Sequence, residues 1–147
     1  LFTLGLYYLL HDAHTYYMYE TMAGHAGSGP VSSWAWNPAV DMDIGQPDQV
    51  PVGTLDFAGR ANTKEHYVFA TGTDPYNASL TYRVLARNFT NALVLVKMLP
   101  EGSVVDDQSI TTHTLDGTYT PLLADGTVGA PITQASIRNN EALILLK

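Results

Sequence analysis

The feature that most restricts the fold is a series of short apolar segments separated by turn sequences, from His66 to the end of the chain. The segments are rich in β-branched, aromatic and leucine residues and have the length of strands. Turn sequences such as Asp116-Gly117 and Asn139-Asn140 stand between them. The predicted strands are 66–71, 80–87, 92–98, 110–115, 119–122, 132–138 and 142–146. This spacing predicts a mainly β fold, an antiparallel β-sandwich of about seven to eight strands with Greek-key-like connections.

The first 45 residues have a different pattern. Leu4, Tyr7, Tyr8 and His11 recur at helical spacing. Residues 15–19 are aromatic and β-branched, which is typical of a strand. We therefore predict an N-terminal helix, strand and loop over residues 1–45, followed by the β-domain over residues 46–147.

Composition excludes several classes of protein. Hydrophobic residues make up 46% and charged residues 14%, so the chain has enough apolar surface for a core and is not disordered. The net charge of -7 argues against nucleic acid and anionic membranes as partners. The chain has no cysteine, which removes disulfides and thiol catalysis. Its first ten residues are too short for a membrane span and lack the basic start of a signal peptide.

Three segments of the β-region carry a resemblance to a known family. They are residues 81–97 (TYRVLARNFTNALVLVK), 118–129 (TYTPLLADGTVG) and 136–145 (SIRNNEALIL). Together they resemble the C-terminal β-domain of a group of bacterial glycoside hydrolases. Residues 7–15 look like the last helix-to-strand passage of that family's (β/α)8 barrel, and residues 43–47 and 69–75 look like the connection into the β-domain.

The resemblance implies a non-catalytic role. A barrel hydrolase takes its catalytic carboxylates from the ends of earlier barrel strands, and these strands are not in this chain. We therefore expect an accessory β-sandwich that packs against the catalytic barrel of a parent protein, with or without binding of polysaccharide. The resemblance also implies an extracellular or secreted location.

Aromatic side chains are the leading candidates for contact with a glycan, because the apolar face of a sugar ring stacks on a π-face. Trp34 and Trp36 are two residues apart, so on an extended segment both project to one side. The alternative for both is packing in the core or between domains. The other candidates are Tyr16, Tyr17, Tyr19 and Tyr76.

Carboxylates leave open a third function, a small carbohydrate-active hydrolase in its own right. Glu20 follows a barrel-like strand, and Asp41 and Asp43 could face one way on an extended segment. The alternative is that these side chains are solvated or cap turns. We expect no cofactor.

A structural calcium ion is a further hypothesis, because extracellular sandwiches often hold one. The possible oxygen ligands do not have EF-hand spacing, and Asp in loops normally serves turns and caps. They are Asp74, Asp106, Asp107 and Asp125. His11 and His14 are spaced to share a metal on a helix, but no third ligand stands nearby.

Self-association through residues 1–19 is the second functional hypothesis. The N-terminal segment is apolar on two sides, and a large exposed apolar patch normally finds a partner. A homo-oligomer formed in this way would make the chain a structural or interaction protein. The residues expected to be exposed are Leu1, Leu4, Leu6, Leu9 and Leu10.

Overall fold

A computed structural model describes residues 1–10, 38–47 and 68–147 of the chain. These residues form one α-helix, two short 3-10 helices and six antiparallel strands. The helix α1 is Phe2–Leu10, and the 3-10 helices are Pro38–Asp41 and Asp107–Ser109. The strands are β1 Val68–Thr73, β2 Thr81–Asn88, β3 Ala92–Lys97, β4 Thr111–Leu122, β5 Ile132–Ile137 and β6 Glu141–Leu146. The prediction of a mainly β, antiparallel fold is confirmed.

The strands form one curled sheet in the order β1-β2-β3-β6-β4-β5. β6 inserts between β3 and β4, so the chain leaves the sheet after β3 and returns two strands away. β4 changes partner along its length. Its residues 111–114 pair with β5, whereas residues 120–122 pair with β6. This change of partner curls the sheet into a sandwich-like shape.

The expected turn at Asp116-Gly117 is wrong. Two predicted strands, 110–115 and 119–122, are continuous in β4, which has a register irregularity between Thr114 and Tyr119. The Tyr119 hydroxyl donates to the Asp116 carboxylate at 2.7 Å across this irregularity. The chain therefore bends and continues instead of reversing, as at a β-bulge. Six strands consequently lie in the described ranges, fewer than the seven to eight predicted.

β3 has a core on each of its faces, and all six of its residues are buried. Leu93 and Leu95 belong to the core inside the curl. Val94 and Val96 belong to a second core, which α1 covers. This double burial explains why the strand is a continuous apolar run and not an alternating one.

The helix α1 packs on the sheet through Leu4, Tyr8 and Leu9, which are all buried. The expectation that Leu4 and Leu9 are exposed is therefore wrong, because the outer face of β3 and β6 is itself apolar and α1 covers it. Gly5 allows the close approach, since a Cβ there would overlap the side chain of Ala142. No helix within the described residues is long and apolar enough to cross a membrane.

Candidate functional site at the loop end of the sheet

Three connections meet at one end of the sheet, which we call the loop end. It consists of the β1–β2 turn (74–80), the β3–β4 connection (98–110) and the β5–β6 turn (138–140). They meet because the strands are antiparallel and Lys97, the last residue of β3, pairs with Glu141, the first residue of β6. Residues distant in sequence are thereby brought together.

A buried polar cluster lies at the centre of the loop end. The Asn139 side-chain nitrogen donates to Asp74 Oδ2 at 3.0 Å, to Ser103 Oγ at 2.8 Å and to the Val104 carbonyl at 3.1 Å. The Ser103 hydroxyl also donates to Asp74 Oδ2, at 2.9 Å. Asp74 is 2% exposed and Asn139 is fully buried. The Asp74 carboxylate and the Asn139 amide thus join all three connections, because Asp74 lies in the first, Ser103 in the second and Asn139 in the third.

The Asp74 carboxylate also holds its own turn. Its Oδ1 accepts from the backbone N–H groups of Tyr76 and Asn77, each at 2.9 Å. Burial by itself would raise the pKa of Asp74, but the hydrogen bonds, led by the one from Asn139, outweigh burial and hold the pKa below its usual value. The hydrogen bonds around Asp74 therefore favour its ionised form.

Lys97 is the second buried charge near the loop end. Its ammonium is fully buried, donates to the Ser109 carbonyl at 2.5 Å and lies 4.8 Å from the centre of the Tyr82 ring. Burial lowers the pKa of Lys97, and the carboxylates of Asp74 and Glu141 counteract part of this shift. A cation held against a carbonyl and a π-face is partly compensated for the water it has lost.

Exposed apolar side chains surround this buried cluster. Five of the eight large apolar residues that are exposed in the described ranges lie at the loop end. They are Tyr76, Met98, Leu99, Val105 and Ile110. Tyr76 is 47% exposed, on the turn that Asp74 holds. The loop end therefore combines a buried, hydrogen-bonded polar cluster with exposed apolar side chains.

Most of the aromatic candidates and one carboxylate lie outside the described residues. These are Trp34, Trp36, Tyr16, Tyr17, Tyr19 and Glu20. Their proposed roles stay predictions. Tyr76 is the aromatic candidate whose position the structure describes.

Asp43 lies away from the loop end, beside the turn between β2 and β3, and Asp41 is the last residue of the 3-10 helix Pro38–Asp41. Both are exposed, and Asp43 Oδ1 accepts from the Gly45 N–H at 2.8 Å. The Asp43 carbonyl accepts from the side chain of Asn91 at 3.4 Å. These contacts give Asp43 a role in fixing a turn, the alternative that the sequence had left open for it.

The four calcium candidates do not gather at one point. Asp106 caps the 3-10 helix Asp107–Ser109, and Asp107 lies 3.7 Å from Arg138. Asp125 accepts from the Thr127 N–H and hydroxyl in the turn after β4. Within the described ranges, no three His, Asp or Glu side chains stand close enough to hold a metal ion. A structural calcium site stays a prediction.

Sequence reasoning missed Ser103 and Asn139 as members of the buried cluster, and it missed Lys97 as the buried cation near it. A single lysine at the end of the apolar run of β3 was the available signal for Lys97. Asn139 looked like an ordinary turn residue, and Ser103 carried no local signal. Their roles depend on contacts across the whole domain, since 65 residues separate Asn139 from Asp74.

Comparison with known proteins adds no relative. No family model matches the chain, and no curated protein or solved structure matches it either.

Proposed function

We propose that the chain is a non-catalytic accessory β-domain of a glycoside-hydrolase-like protein and that it binds polysaccharide through surface aromatics, with Tyr76 at the loop end as one contact. The observation that carries the proposal is the exposed Tyr76 ring on a turn held by a buried carboxylate. A sugar ring can stack on such a face while the Tyr hydroxyl and neighbouring polar groups pair with its hydroxyls.

The turn that carries Tyr76 is held in place before any ligand arrives. Besides the two bonds to Asp74 Oδ1, the Asp74 N–H donates to the Leu80 carbonyl at 2.9 Å and closes the turn. A prearranged contact loses less conformational entropy on binding than a mobile one. The fixed turn therefore lowers the entropic cost of stacking a sugar ring on Tyr76.

The test is binding to a panel of soluble and insoluble polysaccharides: cellulose, xylan, mannan and β-glucans. Tyr76→Ala should weaken binding about tenfold, equivalent to ~1.4 kcal/mol, whereas Tyr76→Phe should retain most of it because the ring stays. Val128→Ala is the matched control, since Val128 is similarly exposed at 51% and lies outside the loop end.

Trp34→Ala and Trp36→Ala belong in the same panel. Loss of binding in a folded Trp variant but not in Tyr76→Ala would support polysaccharide binding and move its site away from the loop end. If the wild-type chain binds none of the polymers, the proposal fails.

A second candidate function, self-association, is favoured by the outer face of α1. Phe2, Leu6 and Leu10 recur every fourth residue along α1; Leu10 is 52% exposed, whereas Phe2 and Leu6 are half-buried and also pack against the core that α1 covers. This stripe is smaller than the five-leucine patch expected from the sequence, because Leu4 and Leu9 face the sheet. Sedimentation of the wild type and of Leu6→Glu/Leu10→Glu tests it. A wild type that is monomeric at every concentration excludes this function.

A further inference from the structure

The first half of β4 is held to the rest of the domain differently from the second half. Within the described ranges, residues 111–114 pair with β5 alone, while residues 120–122 pair with β6. We call residues 111–119 and 132–137 the β4–β5 arm. Its inner side chains, such as Ala135 and Ile137, pack in the core inside the curl. Residues 111–114 and the β5 residues paired with them are therefore held over β1 and β2 by side-chain packing and not by strand pairing.

His113 is an arm residue whose ring contacts both of these strands. Its ring meets Phe69 of β1 edge-on at 6.0 Å and lies 5.9 Å from the ring of Tyr82 in β2. Its Nε2 is 2.9 Å from the hydroxyl of Thr111, and it is half-buried. These contacts suit a neutral imidazole in an aromatic environment.

Lys97 lies on the same tyrosine ring, so a fixed cation stands close to His113. The carboxylates that act on this lysine are Asp74 at the loop end and Glu141 at the start of β6. Phe69 and Tyr82 are the groups that β1 and β2 present to the imidazole, and neither is an anion. Burial, followed by the charge of Lys97, lowers the pKa of His113.

We propose that His113 is an acid-sensitive contact: its protonation places a second cation beside Lys97 and loosens the hold of the β4–β5 arm on β1 and β2. The direction of the pH effect follows from the linkage between protonation of His113 and opening of the arm. An opened arm exposes the imidazole to water, where its pKa is about 6.5. The open state therefore binds the proton more tightly, and its population rises as the pH falls below that value.

Hydrogen exchange of the intact chain, corrected for the intrinsic pH dependence of exchange, tests the proposal. Between pH 7.5 and pH 5, protection of residues 111–114 and 132–137 should fall several-fold, while protection of β3 changes little. In His113→Gln this fall should disappear. Lys97→Met should reduce it, because the repelling charge is gone and the side-chain volume is retained.

Two controls keep the test decisive. A variant with Gln at the other four histidines should show the same fall as the wild type; these are His11, His14, His25 and His66. If His113→Gln does not fold, an NMR titration of the His113 ring replaces it, and its pKa should rise from wild type to Lys97→Met. Unchanged protection of the arm at pH 5, an equal fall in His113→Gln, or a ring pKa that does not respond to Lys97→Met would each overturn the proposal.

Discussion

Replacing Asp74 by Ala should destabilise the domain strongly, because the carboxylate is buried and accepts four hydrogen bonds. The donors are the backbone N–H groups of Tyr76 and Asn77 and the side chains of Ser103 and Asn139. A hydrogen bond to a charged group contributes about 1.5–3 kcal/mol, but bonds that share one acceptor are not additive. We expect a loss of about 3–5 kcal/mol, similar to breaking a buried pair.

The matched control is Asp125→Ala. Asp125 also accepts from a backbone N–H and a hydroxyl two residues further on, both belonging to Thr127, but it is exposed. Water replaces the lost partner there, so the loss of stability should be much smaller than for Asp74→Ala. Urea unfolding followed by far-UV circular dichroism measures both variants, with the same denaturant slope expected throughout. Equal losses for the two variants would refute the argument from burial.

Acid titration of stability gives the same reasoning a second test. The pKa of Asp74 lies below its ordinary value of 3.8 in the folded chain, so the unfolded chain binds a proton first as the pH falls. The stabilisation of the folded chain by ionised Asp74 is therefore complete above about pH 4, and it is lost as the pH falls through the pKa that Asp74 has in the folded chain. Asp74→Asn should be less stable than wild type at pH 5, and the difference should shrink towards pH 2. A difference that stays constant would contradict this.

Three further predictions concern α1 and β4. Gly5→Ala should lower the free energy of unfolding by about 1–3 kcal/mol, because the new methyl group overlaps Ala142. Adding Ala142→Gly should recover part of this loss. If the second substitution only adds to the loss, the close approach of α1 to Ala142 is contradicted. Arg87→Met should lower the free energy of unfolding, measured in urea, by about 1–2 kcal/mol. The reason is that the Arg87 guanidinium donates to the carbonyls of Tyr8 and Leu9, near the end of α1, at 3.1 and 3.2 Å. An unchanged urea midpoint would show that these bonds contribute nothing. The hydrogen bond to Asp116, burial and the charge of Asp116 raise the pKa of Tyr119 to about 12. The stability of the wild type should therefore fall between pH 10 and 12 more steeply than that of Tyr119→Phe. Parallel curves of stability against pH for the two proteins would refute this.

Strand positions were predictable because their causes are local. The segment predicted at 80–87 is the strand Thr81–Asn88, and the one predicted at 132–138 is Ile132–Ile137. Apolar spacing and turn residues act over a few neighbours, so they can be read along the chain. The turn at Asp116-Gly117 failed because the same residues also suit an irregularity within a strand, and only the partners of β4 decide between the two.

The candidate site was predictable only in part. Tyr76 was one of the aromatic candidates, and it is exposed on the turn that Asp74 holds, whereas its contact with a glycan stays a prediction. The position of α1 was not predictable, since a helix that is apolar on two sides can bury either side. Its contact with Ala142 depends on the outer face of β6, a strand more than 130 residues further along the chain.

The sequence by itself determined that this chain forms a mainly β domain and where most of its strands lie. The tertiary structure alone decided that β6 lies between β3 and β4, that one strand bends across two partners and that Asp74, Ser103 and Asn139 form one buried cluster. The physical reason is the range of the interactions. Strand propensity and turn chemistry are settled between neighbours, whereas burial and the satisfaction of buried polar groups depend on residues that only the folded chain brings together.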